Sequence, residues 1–203
     1  MKYFAILLAA FALAANQAGA EPAGKAASVF NGKDLSGWKL PKDNTWWRVE
    51  DGAIVCQSGP KKKGSNIWTE KQYQDFVVEL EFKFDGKGDT GVFLREEKQQ
   101  VQIGISGSLK RDMTGSMYVA GKGYPKEASE AEGVKGVKNL LKINEWNSMK
   151  VEVKGKDSVV WLNGKKILEF TFEKAKEKGP IGLQLHGGKD MRADFRNIKI
   201  TEL

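Results

Sequence analysis

The sequence predicts an all-β protein, an antiparallel two-sheet β-sandwich of the jelly-roll type. Apolar and polar residues alternate over short segments, these segments recur about every 8 to 12 residues, and Gly, Asn and Asp lie between them. Alternation is typical of strands that bury one face, because successive side chains of a strand point to opposite sides of its sheet.

The clearest predicted strand runs from Phe76 to Phe84, where five apolar side chains at alternate positions would face a core and the residues between them are mostly charged. Residues 101–105 and 149–153 alternate in the same way. A hairpin is predicted after them, because the next strand leads into Asn163-Gly164 and returns over residues 165–170. Both turn positions accept a positive φ, as two-residue hairpin turns require.

One segment, residues 110–139, does not alternate and is rich in Gly, Lys, Glu and Ala. We expect a long loop with a short helix there. Loops of this length in compact domains are often functional or disordered.

The N-terminus has the composition of a secretory signal peptide, with a lysine at position 2, an apolar run and a small-x-small site ending at Ala20. The run is shorter than the roughly 20 apolar residues that span a bilayer, so no stable membrane anchor is expected. We therefore expect cleavage near Ala20 and a secreted or periplasmic protein. Residues 21–28 would form a flexible lead-in and residues 29–203 a single sandwich domain.

The formal net charge is +7, and the lysines are spread along the chain except at Lys61-Lys62-Lys63. Nucleic-acid binding needs a clustered basic stripe, so no nucleic-acid partner is expected. Cys56, the only cysteine, lies in an apolar strand-like run and is interpreted as a buried, inert thiol. One Cys and one His cannot make a structural zinc site. The oligomeric state is not indicated.

His186 is the only histidine, and it follows a segment in which Ile181, Leu183 and Leu185 alternate with Gly and Gln. If the apolar set faces the core, His186 points the other way, at the end of its strand. Histidine titrates near neutral pH, which suits acid/base catalysis. The alternative is an ordinary surface or turn histidine.

The same parity argument predicts one outward face that carries carboxylates, amides, aromatic rings and an arginine. Its predicted members are Glu79, Glu81, Phe93, Arg95, Gln100, Gln102, Ser116, Tyr118, Gln184 and His186. Aromatic planes beside bidentate polar groups are suited to sugar rings and hydroxyls. The alternative is the polar solvent face that every sandwich has. The paired glutamates alone lack the further acid expected of an ordinary retaining glycosidase.

The nonapeptide from Phe30 to Trp38 and the closing segment from Phe195 to Ile198 resemble the signatures of the 3-keto-disaccharide hydrolase family. The pattern continues over residues 47–52, 67–76, 90–95, 101–103, 114–118, 144–147, 161–164 and 179–187. The resemblance covers nearly the whole mature chain. It implies a concanavalin-A-like sandwich and action on 3-keto sugars in exported glycan metabolism.

The resemblance also implies a mechanism in which a base removes the C2 proton next to a C3 ketone and the C1 substituent leaves. His186 would be the general base or acid, Arg95 would hold an oxyanion or hydroxyl, and Glu70 or Glu81 would be the carboxylate. A divalent cation in place of Arg95 is an alternative. The glycan or oxidised disaccharide would be bound by Phe93, Gln100, Gln102, Ser116, Tyr118 and Gln184.

Two positions depart from the family pattern. Members often carry Tyr-Glu where this chain has Gln99-Gln100, and Asp where it has Leu185. Both changes remove a carboxylate, which leaves a non-catalytic, lectin-like carbohydrate-binding domain as the alternative function. No feature of the sequence indicates a scaffolding role.

Overall fold

A computed structural model describes residues 24–203 as two antiparallel β-sheets, which confirms the predicted sandwich. The predicted signal peptide lies outside these residues. Within them, no helix is long and apolar enough to cross a membrane.

The described residues form fourteen strands and two short helices. The strands are β1 (Ala27–Ser28), β2 (Trp38–Lys39), β3 (Trp47–Glu50), β4 (Ala53–Gln57), β5 (Ser65–Thr69), β6 (Phe76–Phe84), β7 (Asp89–Leu94), β8 (Glu96–Gly104), β9 (Met117–Val119), β10 (Asn147–Lys154), β11 (Asp157–Leu162), β12 (Lys165–Thr171), β13 (Ile181–Leu185) and β14 (Arg192–Glu202). The helices are α1 (Lys126–Ser129) and α2 (Glu132–Lys135), and a 3-10 turn follows at Val137–Asn139.

The larger sheet has the strand order β12-β11-β10-β6-β14-β4-β3, with β1 added beside β14. The smaller sheet has the order β2-β5-β13-β7-β8-β9. The core lies between them. All five apolar side chains predicted to face the core from β6 are buried in it, and the bounds of β6 match the prediction.

The predicted hairpin is confirmed as β11 and β12. Asn163 has a φ of 49° and Gly164 a φ of 80°, the two positive values of a type I′ turn. The Asn163 amide also donates to the carbonyl of Leu140 at 2.8 Å, which ties the turn to the preceding segment.

The segment from 110 to 139 is more structured than a long loop. It holds β9, which pairs with β8, and both helices, which pack against β12. The lead-in is also partly ordered, because Ala27 and Ser28 pair with Ile200 and Lys199.

The N-terminal signature motif has a structural role. The side-chain oxygen of Asn31 accepts from the backbone N–H groups of Lys33 and Asp34, and a carboxylate oxygen of Asp34 accepts from Ser36. Such side-chain-to-backbone bonds fix a tight turn. The indole of Trp38 then donates to the carbonyl of Val29 at 2.9 Å, closing the loop.

Cys56 is fully buried on β4, and burial raises the pKa of its thiol to about 12. A thiol that is neutral at physiological pH is a poor nucleophile. The interpretation of Cys56 as a buried core residue is confirmed, and its inertness stays a prediction.

Candidate functional site

The outer face of the smaller sheet carries a row of side chains that crosses five adjacent strands. The register aligns Trp68, Gly182, Phe93, Gln100 and Tyr118 on β5, β13, β7, β8 and β9 in turn. Their sequence neighbours on the inner side are buried in the core. Since successive side chains of a strand alternate between faces, the row points away from the core.

A second row lies beside the first. Asn66, Gln184, Gly91 and Gln102 are aligned on β5, β13, β7 and β8, and the backbone of Ser116 bonds to Gln102. The structure therefore brings five of the six predicted sugar-binding residues (Phe93, Gln100, Gln102, Tyr118 and Gln184) to one face. Ser116, the sixth, is fully buried and its hydroxyl has no hydrogen-bond partner.

An aromatic platform covers one end of this face. The rings of Trp68 and Phe93 are stacked, with centroids 5.1 Å apart and planes 16° from parallel. They meet above Gly182, where an added Cβ would lie only 2.6 Å from two carbons of the indole. Glycine is required there by this close approach. Trp68 was not among the predicted site residues, although its alternation with the buried Ile67 was a usable signal.

A pair of amides lies beside the platform. Nε2 of Gln100 donates to Oε1 of Gln184 at 2.8 Å, passing over Gly91, where any Cβ would collide with the Gln100 amide. Each amide nitrogen has two donor hydrogens. One hydrogen of Gln100 and both of Gln184 are thus unused by the described residues. Gln100 is only 2% exposed and Gln184 is half-buried, so Gln184 is the amide that can bind a ligand oxygen.

Glu97 supplies a carboxylate that the sequence prediction missed. Its Oε1 lies 3.2 Å from Nδ2 of Asn66, although β7 and β13 separate their strands. The register explains this reach: Phe93 pairs with Gln100 but Leu94 pairs with Glu96, so a bulge of residues 97–99 has no partner on β7. Alternation alone gives no sign of such a bulge.

His186 follows the last residue of β13 and is exposed, as the parity argument predicted. Its backbone N–H donates to the carbonyl of Asp89 at 3.3 Å, and its Nδ1 lies 2.7 Å from the carbonyl oxygen of Gly187. A carbonyl can only accept, so Nδ1 carries a proton in this contact. Nε2 is therefore the ring atom left for exchange with a ligand.

Next to His186 lies a buried carboxylate, Asp89, which the sequence prediction also missed. Its Oδ1 accepts from Nε2 of Gln102 at 2.8 Å, and its Oδ2 is 3.1 Å from Nζ of Lys189. Lys189 also donates to the carbonyl of Ile105. These contacts satisfy Asp89 and fix the side chain of Gln102, so both act as support for the face.

Tyr118 and Tyr124 close the far side of the face, with an edge-to-face contact at 5.3 Å. Burial is the main cause that raises the pKa of Tyr124 to about 12. Its phenol is therefore a neutral hydrogen-bonding group at physiological pH.

Arg95 does not lie on this face, and that prediction is wrong. Its side chain is 1% exposed, and its guanidinium donates to the carbonyls of Gly155 and Lys176 and to the carboxylate of Asp75. Arg95 alone connects β7 to β8, and its φ of 67° turns it away from the alternation of both strands. It ties the smaller sheet to the β10–β11 turn.

The predicted glutamates also lie elsewhere. Glu79 and Glu81 belong to β6 of the larger sheet, so they are on the opposite outer surface of the sandwich. Glu70 is exposed just after β5, at the opposite end of that strand from His186. Parity predicts which way a side chain points from its own sheet, but not which of the two sheets the strand joins.

The residue types around His186 do not fit a metal centre. Among residues 24–203, no group of three or more His, Cys, Asp or Glu side chains is arranged to hold an ion. The one buried carboxylate nearby, Asp89, is already paired with Lys189. We therefore assign no step of the reaction to the alternative divalent cation.

Solved structures share this sandwich. Two are candidate glycosyl hydrolases from Parabacteroides distasonis ATCC 8503. The first has a TM-score of 0.63 and 24% sequence identity, and the alignment covers 89% of this chain and 94% of that one. The second has a TM-score of 0.62 and 26% sequence identity, and the alignment covers 88% of this chain and 84% of that one. The carbohydrate binding module CBM66 from Bacillus subtilis has a TM-score of 0.54 and 16% identity, covering 82% and 96%.

No curated protein sequence matches the chain significantly. The sequence model of one domain family does match, over residues 25–201, and its description is 3-keto-alpha-glucoside-1,2-lyase-like domain. The match includes every residue of the candidate site.

Proposed function

The chain belongs to the 3-keto-alpha-glucoside-1,2-lyase-like domain family, and from this premise we propose that it cleaves 3-keto-glycosides by removing the proton next to the ketone. The observation that carries the proposal is the outer face of the smaller sheet, which holds an aromatic platform, an amide pair and the carboxylate of Glu97, with His186 two residues after Gln184. The face therefore combines groups for sugar binding with two groups for proton transfer.

The platform and the amides account for binding. A sugar ring presents C–H groups on its faces and hydroxyls at its edge, so it packs on the Trp68–Phe93 platform and bonds to polar groups around it. The unused amide hydrogens of Gln184, whose side chain is held by Gln100, would donate to the C3 carbonyl oxygen. As the C2 proton leaves, negative charge develops on that oxygen, and fixed N–H donors stabilise it.

The reaction balances with one base, one acid and water. The base takes the proton from C2, a C1–C2 double bond forms, and the C1–O bond breaks as the leaving oxygen receives a proton from the acid. Water then adds across the double bond, with hydroxyl to C1 and hydrogen to C2. The products are a free 3-keto sugar and an alcohol.

We assign the base to Glu97 and the acid to His186. Carboxylates are ordinarily ionised at neutral pH, whereas an imidazole can hold a proton near neutrality and release it. Nε2 of His186 is the available atom, because Nδ1 is held against the carbonyl of Gly187. These assignments replace the catalytic roles that the family resemblance implied for Arg95, Glu70 and Glu81.

A carbohydrate-binding domain without turnover is the second candidate. It is favoured by Gln100, which stands where family members often have a glutamate and which is hydrogen-bonded to Gln184 instead of being a free acid. Leu185, the other departure, faces the core and is buried, so it removes nothing from the outer face.

The test is incubation of the mature protein with 3-keto-trehalose and other 3-keto-glucosides, with and without chelator, followed by NMR for released 3-keto-glucose. We expect release of 3-keto-glucose by the wild type and loss of that release in His186→Ala. Saturable glycan binding without release would support the second candidate. Release unaffected by His186→Ala would refute the assignment.

Export is part of the proposal. The composition of residues 1–20 supports signal-peptide cleavage near Ala20 and a secreted or periplasmic location. N-terminal sequencing of protein recovered outside the cytoplasm should begin at Glu21; a start at Met1 would contradict export by this route.

A further inference from the structure

The outer face of the larger sheet, on the opposite side of the sandwich from His186, carries an open cavity of about 390 Å³. Its polar and aromatic lining includes Glu79, Glu81, Ser148, Lys150, Trp161 and Lys199. The proposed reaction uses none of these residues. The signature segment from Phe195 to Ile198 borders the same cavity.

The floor of the cavity is a row of residues across four adjacent strands. Trp161, Lys150, Glu79 and Lys199 are direct neighbours on β11, β10, β6 and β14. Cβ atoms of such neighbours are about 5 Å apart, close enough for ion pairs. Among the described residues, however, Glu79, Lys150 and Lys199 make no salt bridge and no side-chain hydrogen bond. Their charged groups are available to a ligand.

A bulge in β14 shapes the neighbouring wall. Arg196 pairs with Glu81 and Lys199 with Glu79, so β14 has one more residue than β6 between these pairs. Asn197 has a φ of 53° and, together with Arg196, donates to Oε2 of Glu81, at 2.9 and 2.6 Å. Bulges often redirect side chains at binding sites. Oε1 of Glu81 has no partner among the described residues.

The aromatic element is Trp161, which is half-buried. Nζ of Lys150 lies 4.4 Å from the centroid of its ring, so the cation holds the indole in place. Hydrogen-bond donors and acceptors therefore surround an anchored aromatic side chain, as in sites that bind sugars.

We propose that this cavity is a second, non-catalytic site that binds a neutral saccharide. Two carboxylates (Glu79 and Glu81) and two ammonium groups (Lys150 and Lys199) line it, so the charges of the lining residues cancel. Arg196, which pairs with Glu81, is not among the lining residues. A balanced lining suits an uncharged polyol, whose hydroxyls both donate and accept, better than a polyanion. This inference does not rest on the proposed reaction.

The test is an NMR titration of ¹⁵N-labelled mature protein with trehalose, maltotriose and cellotriose at millimolar concentration. We expect at least one of them to shift the indole signal of Trp161 and the amides of Ser148 and Lys199. Trp161→Ala and the exposed Lys199→Ala should each weaken this binding, about tenfold for the tryptophan. Lys165→Ala, an exposed change outside the cavity, should not.

The signal of Trp68 reports the other face in the same spectra, so the two sites are read separately. If the Trp68 signal alone fails to respond to the sugars, the result counts against the proposed function and not against the second site. No shift around Trp161 with any of the three sugars would overturn the second site. Shifts that persist in both cavity variants would overturn it too. Lys199→Ala keeps the test valid if Trp161→Ala does not fold.

Discussion

Nδ2 of Asn66 lies 3.2 Å from Oε1 of Glu97, although two strands separate their own strands in the sheet. The contact holds a carboxylate over the outer face, three residues before the position where family members often carry one. Glu97 can therefore take the place of the acid that Gln100 lacks.

We expect Glu97→Gln to lower kcat by about 10²- to 10⁴-fold, the usual contribution of a general acid or base. The amide keeps the size and hydrogen-bonding capacity of the side chain but cannot take the C2 proton. The matched control is Glu70→Gln, an exposed glutamate at the other end of β5, which should leave kcat unchanged. The measurement is release of 3-keto-glucose under saturating substrate. Wild-type kcat in Glu97→Gln would remove Glu97 from the mechanism.

Local features of this fold could be predicted from the sequence, and non-local ones could not. The bounds of β6 and the Asn163-Gly164 turn depend on alternation and turn chemistry within a few residues, and both predictions were confirmed. The assignment of Glu81 to the face of His186 was wrong because the partners of β6, which decide its sheet, are distant in sequence.

The candidate site shows the same division. Gln100 and Gln184 could be placed on one face by parity, because their strands alternate regularly where they pair. The bulge of residues 97–99 breaks the alternation and hides Glu97, and the positive φ of Arg95 makes it a connection instead of a strand residue. Where a register shift begins depends on tertiary packing, which a pattern of single residues does not encode.

The aromatic platform depends on the absence of a side chain at position 182. We expect Gly182→Ala to lower the free energy of unfolding by about 1 to 3 kcal/mol, because the new methyl group must displace Trp68. Glycan binding should weaken in the same variant. Chemical denaturation and a saccharide titration would measure the two effects.

A double-mutant cycle with Trp68→Ala tests whether the indole causes this loss of stability. In the Trp68→Ala background, Gly182→Ala should lower the free energy of unfolding by less than it does in the wild type. Gly59→Ala is the matched control, since its Cβ would meet only an ordinary contact at 3.7 Å from the indole nitrogen of Trp46. Equal costs of Gly182→Ala with and without Trp68 would show that the indole is not the obstacle.

The Cys56 thiol should be unreactive in the native protein. With a pKa of about 12, only about one molecule in 10⁴ carries a thiolate at pH 8, and the sulfur is fully buried. We expect labelling by Ellman's reagent only after urea unfolds the chain. Rapid stoichiometric labelling without urea would contradict the buried placement on β4.

The raised pKa of Cys56 also has a consequence for stability. The pKa of the thiol in the folded protein lies above its ordinary value of 9.0, so the folded state holds this proton more tightly than the unfolded state. The stabilising contribution is complete below pH 9 and is lost as the pH rises from about 9 towards about 12. The free energy of unfolding, measured by urea denaturation across this window, should fall less steeply in Cys56→Ala than in the wild type. Equal slopes would contradict the raised pKa.

Substitution of Arg95 tests whether this arginine has a structural or a catalytic role. We expect Arg95→Met to lower the free energy of unfolding by about 3 to 5 kcal/mol, because it leaves the carbonyls of Gly155 and Lys176 without their donor and Asp75 without its buried counter-ion. Turnover per folded molecule should be unchanged, since the guanidinium is buried away from the outer face.

The control for Arg95 is Asp75→Asn, which removes the charge but keeps the side-chain oxygen that accepts from the backbone N–H of Gly155 at 2.8 Å. Its cost should be smaller, because Asp75 is about one-third exposed, so water already screens the ion pair, and the buried guanidinium keeps its two carbonyl acceptors. Urea denaturation gives the stabilities, and kcat is normalised to the folded fraction. An Arg95→Met protein with native stability and lost turnover would restore the oxyanion role that the sequence suggested.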